Sequence, residues 1–142
     1  MQYHHTQRGI FVMLTCLAFA ALAAAMLWRT GHPSVLLTLI VLIAVAILFS
    51  SLTVDVGGNE LRWHFGPGFW AYRLPLGDIQ RVAIVRNPWL SGFGIRMRPG
   101  FRLYNVSGFD AVELQLKSGD IRRIGTDDPQ GLAAALKLHT QA

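Results

Sequence analysis

The chain has 142 residues, of which 52% are hydrophobic and only 15% charged, too apolar for an ordinary soluble domain and calling for a membrane segment. Thirteen Lys and Arg against 8 Asp and Glu give a formal charge of +5. A single cysteine excludes a disulfide framework and any cysteine-cluster zinc or iron–sulfur site.

Residues 10–28 form a run of 19 uncharged residues, about 28 Å as a helix and close to the hydrocarbon thickness of a bilayer. Arg8 precedes the run, and Trp28 with Arg29 closes it, a pairing that suits a helix end at the headgroups. A second uncharged run, 35–52, follows after a link long enough only to reverse direction. The pattern predicts a transmembrane helical hairpin within an N-terminal unit of residues 1–52. A cleaved signal peptide is the rival reading, since Ala23-Ala24-Ala25 offers small residues to a peptidase. Against it, the first run is long for a signal peptide and leads into a second apolar run. Cys16 follows Thr15 in mid-span and reads as a small apolar residue rather than a lipid attachment point. Arg8, Arg62 and Arg73 outnumber Arg29 across the membrane and place both termini in the cytoplasm. Neither span holds an ionisable side chain of the kind that marks a transport pathway, so the hairpin reads as an anchor.

Residues 53–142 carry 11 Lys and Arg and 8 Asp and Glu, since Arg8 and Arg29 are the only charges ahead of them. They are expected to form one small domain. Val54, Val56, Leu61, Trp63 and Phe65 alternate with polar residues around Gly57-Gly58-Asn59, which predicts a hairpin. Gly66-Pro67-Gly68 breaks the chain before a strand near Tyr72–Leu76, where Pro75 suggests an edge. Residues 79–85 are apolar enough for burial on both faces. In 111–117, Val112, Leu114 and Leu116 share one face, and Glu113, Gln115 and Lys117 share the other. Ser118-Gly119 turns into 121–125, where the opposed faces of Ile121 and Ile124 call for a bulge or two-sided burial. Thr126-Asp127-Asp128-Pro129 then opens a helix with Leu132 and Leu136 on its apolar stripe. The total is about seven short antiparallel strands and one C-terminal helix, which suits a curled sheet or partial barrel.

Gly94-Ile95-Arg96, Tyr104-Asn105-Val106-Ser107-Gly108 and Arg123-Ile124-Gly125-Thr126-Asp127-Asp128-Pro129 are the strings that carry a family resemblance. Together with the hairpin ahead of them, they make the chain resemble the bacterial PH-like (pleckstrin-homology-like) domain membrane proteins over nearly its whole length. The resemblance implies an α+β membrane protein: a two-helix transmembrane hairpin, then a PH-like antiparallel β barrel of about seven strands capped by a C-terminal helix. It also implies a multi-pass protein of the bacterial inner (cytoplasmic) membrane. The family carries little function with it.

Chemistry-bearing residues are sparse. Asp127 and Asp128 are adjacent carboxylates, but helix capping accounts for both. His4 and His5, neighbours in a tail expected to fray, make a poor chelate. Ser107 lacks the flanks of a nucleophile elbow, and Gly92, Gly94 and Gly100 lack the Gly-Lys-Ser/Thr of a phosphate loop. No catalytic residue, metal or cofactor is expected, and an enzyme would have to be sought first around His64 and Asp127. The notable stretch is 86–102, where Arg86, Arg96, Arg98 and Arg102 surround Trp89 and Phe93. It suits an anionic lipid surface or a membrane-protein partner, against a bland reading as a solvated connection. The net charge of 53–142 is too small and diffuse for nucleic acid. The expected function is a membrane-anchored, non-enzymatic binding module.

Overall fold

The computed structural model describes residues 3–88, 94–106 and 108–140, with backbone alone at positions 69 and 94. The fold is α+β. Strand β1 (Tyr3–Arg8) leads into helix α1 (Ile10–Thr30), and helix α2 (Pro33–Leu48) returns to β2 (Ser51–Gly57). Beyond them come β3 (Glu60–Phe65), β4 (Phe69–Pro75), a 3₁₀ turn at Leu76–Asp78, β5 (Ile79–Arg86), β6 (Gly94–Arg98), β7 (Phe101–Asn105), β8 (Asp110–Leu116), β9 (Ile121–Gly125) and α3 (Pro129–Thr140).

The two long helices are joined by only two residues. Gly31 adopts the left-handed conformation that ends α1, donating its N–H to the Leu27 carbonyl at 2.8 Å, with Arg29 in the last turn. The His32 side chain accepts from the Ser34 N–H, and Pro33 supplies the first helical residue of α2. Among the described residues one helix, Ile10–Thr30, is long and apolar enough to cross a membrane, with a mean hydropathy of 2.5 over an 18-residue window. The second apolar helix is 16 residues and starts and stops earlier than the 35–52 run. Its run is apolar on every side and carries no period, so the sequence could not mark where helix gives way to strand. Leu52 is in fact an inward residue of β2.

The expectation of a single barrel of about seven antiparallel strands is corrected. Among the described residues nine strands form two sheets, ordered β1-β2-β3-β4 and β5-β8-β9-β7-β6, and no closed barrel results. One pairing, β7 with β9, is parallel. The segment expected to fray is β1, which pairs antiparallel with β2 from Tyr3↔Val56 to Arg8↔Ser51. Strand β5 was expected to be buried on both faces. It lies at a sheet edge, bonded only to β8 among the described strands, and Ile84 is 46% exposed. In β9 the register on β8 is unbroken, so there is no bulge; Ile124 is buried on one face and Ile121 half-buried on the other, the two-sided alternative of the sequence reading.

The core lies between the sheets. Tyr104 of β7 meets Trp63 at 5.2 Å and Tyr72 at 4.8 Å between ring centroids, joining the second sheet to the inner face of the first. Phe65, Val112, Leu114 and Ile124 complete it, and Leu132 and Leu136 of α3 are fully buried against it. Val112, Leu114 and Leu116 point inward as the alternation in 111–117 required. Gly125 is obligatory on packing grounds, because a Cβ there would overlap the buried Asn105 side chain, whose amide donates to the Gly108 carbonyl at 3.0 Å.

Candidate functional site

The neck of the hairpin is built from small residues. The Gly9 N–H donates to the Ser50 carbonyl at 2.8 Å, so the start of α1 and the end of α2 leave the sheet side by side. A Cβ on Gly9 would overlap the Phe49 carbonyl oxygen, and one on Gly66, at φ +56, would stand 2.7 Å from the Ile47 carbonyl oxygen. The Gly66 N–H in turn donates to Ser51 at 2.8 Å. Beyond this neck the helices pack mainly on each other, leaving Leu14, Phe19, Leu22, Leu37, Ile40 and Ile43 more than half exposed.

Of the candidate contact residues Arg86, Trp89, Arg96, Arg98 and Arg102, the four arginines do not form one cluster. Arg96 and Arg98 lie directly opposite Leu103 and Phe101, and share a face with them. Arg102, opposite Met97, takes the other face. Arg86 lies on β5, at the opposite edge of a five-stranded sheet, four strand spacings or roughly 19 Å from β6. Trp89 and Phe93 lie outside the described residues. Phe101 sits beneath two guanidinium groups, Arg98 at 4.6 Å and Arg123 at 5.3 Å from its centroid. Arg123 is committed to Glu113 at 2.7 Å and to Asn87 at 3.2 Å. Arg96 and Arg98 have no carboxylate partner among the described residues, and both are exposed.

Of the two expected capping carboxylates, Asp127 and Asp128, it is Asp128 that caps α3: it accepts from the Gly131 N–H at 3.2 Å, and the Thr126 hydroxyl accepts from the Asp128 N–H at 3.0 Å. Both carboxylates also hold β1, which the sequence did not suggest. Tyr3 Oη donates to Asp128 at 2.9 Å, and His5 Nε2 pairs with Asp127. Burial first, and then the hydrogen bond to Asp128, push the Tyr3 phenol above its ordinary value of 10.0. His4, on the opposite face of β1, pairs with Asp55 and lines an open cleft of about 380 Å³ with Glu60 and Arg62. Glu60 is engaged by Arg62 at 2.8 Å. No group of three metal-ligating side chains occurs among the described residues. His64 faces Thr53 across the β2–β3 ladder, and its buried Nδ1 has no hydrogen-bond partner. Ser107 lies outside the described residues.

Two features escaped the sequence reading. The partners of Tyr3 and His5 lie more than 120 residues away, leaving no local signal for the junction of β1 with α3. Trp70 is an exposed residue at φ 48 beside Phe49, signalled only by its position after Gly66-Pro67-Gly68. No family model, curated protein or solved structure matches this chain.

Proposed function

We propose that the protein is a two-pass membrane protein whose β-rich unit, on the cytoplasmic side, is a PH-like, non-enzymatic module that binds a membrane-protein partner. The observation that carries this reading is that β1 and β2 are neighbours in one sheet while α1 and α2 emerge between them. Strands bonded to each other must lie on one side of a bilayer, so a crossing by α1 requires a return by α2. The two helices expose apolar side chains nearly all round, which water would not tolerate on an isolated hairpin. A core-helix explanation fails because only 11% of the apolar window of α1 is buried. A cleaved signal at Ala23-Ala24-Ala25 would discard β1, with the Tyr3 and His5 contacts to α3. The PH-like assignment draws on the C-terminal helix packed over two sheets and on the sequence resemblance. The parallel β7–β9 pair departs from an all-antiparallel barrel.

For the binding surface, Arg96, Arg98 and Phe101 are the strongest candidates: exposed cations without carboxylate partners beside an aromatic ring, on a sheet edge. The same three residues carry the second reading, contact with an anionic lipid surface. A photo-crosslinker at Phe101 in the full chain in native membranes separates them. A protein adduct of discrete mass, lost with Arg96→Glu/Arg98→Glu, supports the binding module. Lipid adducts alone, abolished by moderate salt, would transfer the function to the lipid surface.

A further inference from the structure

Regular alternation along β4 would turn Trp70 inward with Tyr72 and Leu74. It does not point there. Between Trp63↔Tyr72 and Phe65↔Phe69 the register slips, so that Trp70 and Ala71 both stand opposite His64. Trp70 takes φ 48 at this bulge, a conformation natural to glycine and rare for a bulky side chain, and it is 52% exposed. Its ring lies 6.0 Å from Phe49, at the very end of α2. On the other side of the neck, the β7–β8 turn comes close to β1: Val106 stands beside Gly9, and Gly108 beside Gln7. That turn holds out Phe109, 36% exposed, with the Arg86 guanidinium 5.8 Å from its ring. Arg8, the last residue of β1, is exposed at the same neck.

At the opposite end of the hairpin stand Trp28, 92% exposed, and Arg29. From Gly9 to Trp28 is a rise of 19 residues, about 28 Å, which matches the roughly 30 Å hydrocarbon layer. A hairpin with Trp28 at one headgroup layer therefore brings Trp70 and Phe109 to the other.

We propose that Trp70 and Phe109 are the near-side interfacial anchors of the protein. They seat in the headgroup layer of the bilayer that the hairpin crosses, with Arg8 and Arg86 among the lipid phosphates, and fix the height and tilt of the sheets above the membrane. This inference rests on the two-pass reading above. It explains why an aromatic residue occupies a strained position that turns it away from an available core of Trp63, Tyr72 and Tyr104.

The test uses the full chain in phosphatidylcholine/phosphatidylglycerol vesicles, carrying Cys16→Ala and one introduced cysteine with an environment-sensitive fluorophore at position 70, 109 or 59. Position 59 lies in the β2–β3 turn, roughly 20 Å along β2 from the neck. Lipids bearing a quencher near the headgroup are expected to quench the probes at 70 and 109 several-fold more than the probe at 59. A Thr30→Cys chain, probed with a membrane-impermeant maleimide, reports whether the tip of the hairpin lies across the bilayer from Asn59→Cys. Equal quenching at all three positions with Thr30→Cys on the far side overturns the anchor and leaves the two-pass reading intact. Thr30→Cys on the same side as Asn59→Cys overturns both. Trp70→Gly, whose backbone suits φ 48, is expected to weaken quenching at 109 while leaving the urea midpoint of unfolding in place. Unchanged quenching in that variant would remove Trp70 from the anchor.

Discussion

The hairpin and the sheets are built from the same apolar residue types and use them in opposite ways. Only Cys16 and Ala23 are buried in α1 and none in α2, whereas Leu52, Leu61, Phe65, Leu114 and Ile124 are almost wholly enclosed. Hydrophobicity alone therefore does not say what a residue contributes; the solvent on its other side does. In the sheets, stability comes from removing side chains from water. In the hairpin, packing between the helices removes little of the apolar surface, and on the two-pass reading proposed above it is lipid that would cover the rest.

Substitutions measure that contrast. The largest effect is expected from Phe65→Ala, which removes a fully buried ring packed between Phe49 and Tyr104 and should cost about 3–5 kcal/mol in urea unfolding of the reconstituted protein. Next is Gly9→Ala at the neck, where the new methyl overlaps the Phe49 carbonyl; a loss of about 1–3 kcal/mol is expected, with weakened hydrogen-exchange protection at both β1 and α1. Glu113→Ala strips Arg123 of its carboxylate, but both groups are partly solvated, so about 1 kcal/mol by thermal denaturation is the expected cost. Leu37→Ala, at a residue 63% exposed in α2, should shift the melting of the sheets by less than about 0.5 kcal/mol. A value near that of Phe65→Ala would erase the contrast.

The finest probe is pH. The native state holds Tyr3 as the neutral phenol, and its folded pKa lies above the ordinary 10.0. The folded protein therefore binds this proton more tightly than the unfolded chain. The contribution is complete below pH 10 and lost as pH rises further. Alkaline titration followed at the tyrosinate absorbance should show Tyr3 ionising above the ordinary phenol value, together with loosening of β1, and Tyr3→Phe should abolish that step. Tyr72 is also raised, by burial and then by Tyr104, with Arg102 opposing, so Tyr72→Phe is the control that assigns the signal.

Legibility followed the range of the interactions. The 111–117 strand, the Asp128–Pro129 helix start and the first apolar run could be read because their signals are local: alternation, capping chemistry and length. Strand β1 could not, because Tyr-His-His-Thr-Gln-Arg alternates no hydrophobic face and its partner comes only after two helices. The edge position of β5 and the parallel β7–β9 pairing are decided by topology, which leaves no trace in a segment's own residues. The arginines of 86–102 were visible as a composition, while only the register divides Arg96 and Arg98 from Arg102. The burial of Asn105 against Gly125 is a jigsaw constraint that no period announces.

The placement of β1 ahead of the helices bears on biogenesis. Its ladder closes a loop from Arg8 to Ser51, and the entropy of closing such a loop grows only with the logarithm of its length, so the distance itself is no obstacle. In the two-pass arrangement proposed above, the bilayer is the obstacle. A nascent chain that threaded α1 across and failed to bring α2 back would hold β1 and β2 in different compartments, with the edge of β2 bare and Asp127 and Asp128 without His5 and Tyr3. On the two-pass reading proposed above, completion of the first sheet would therefore depend on correct threading: only a chain whose α2 returns can zip it shut, and a mis-threaded one would present an open strand edge.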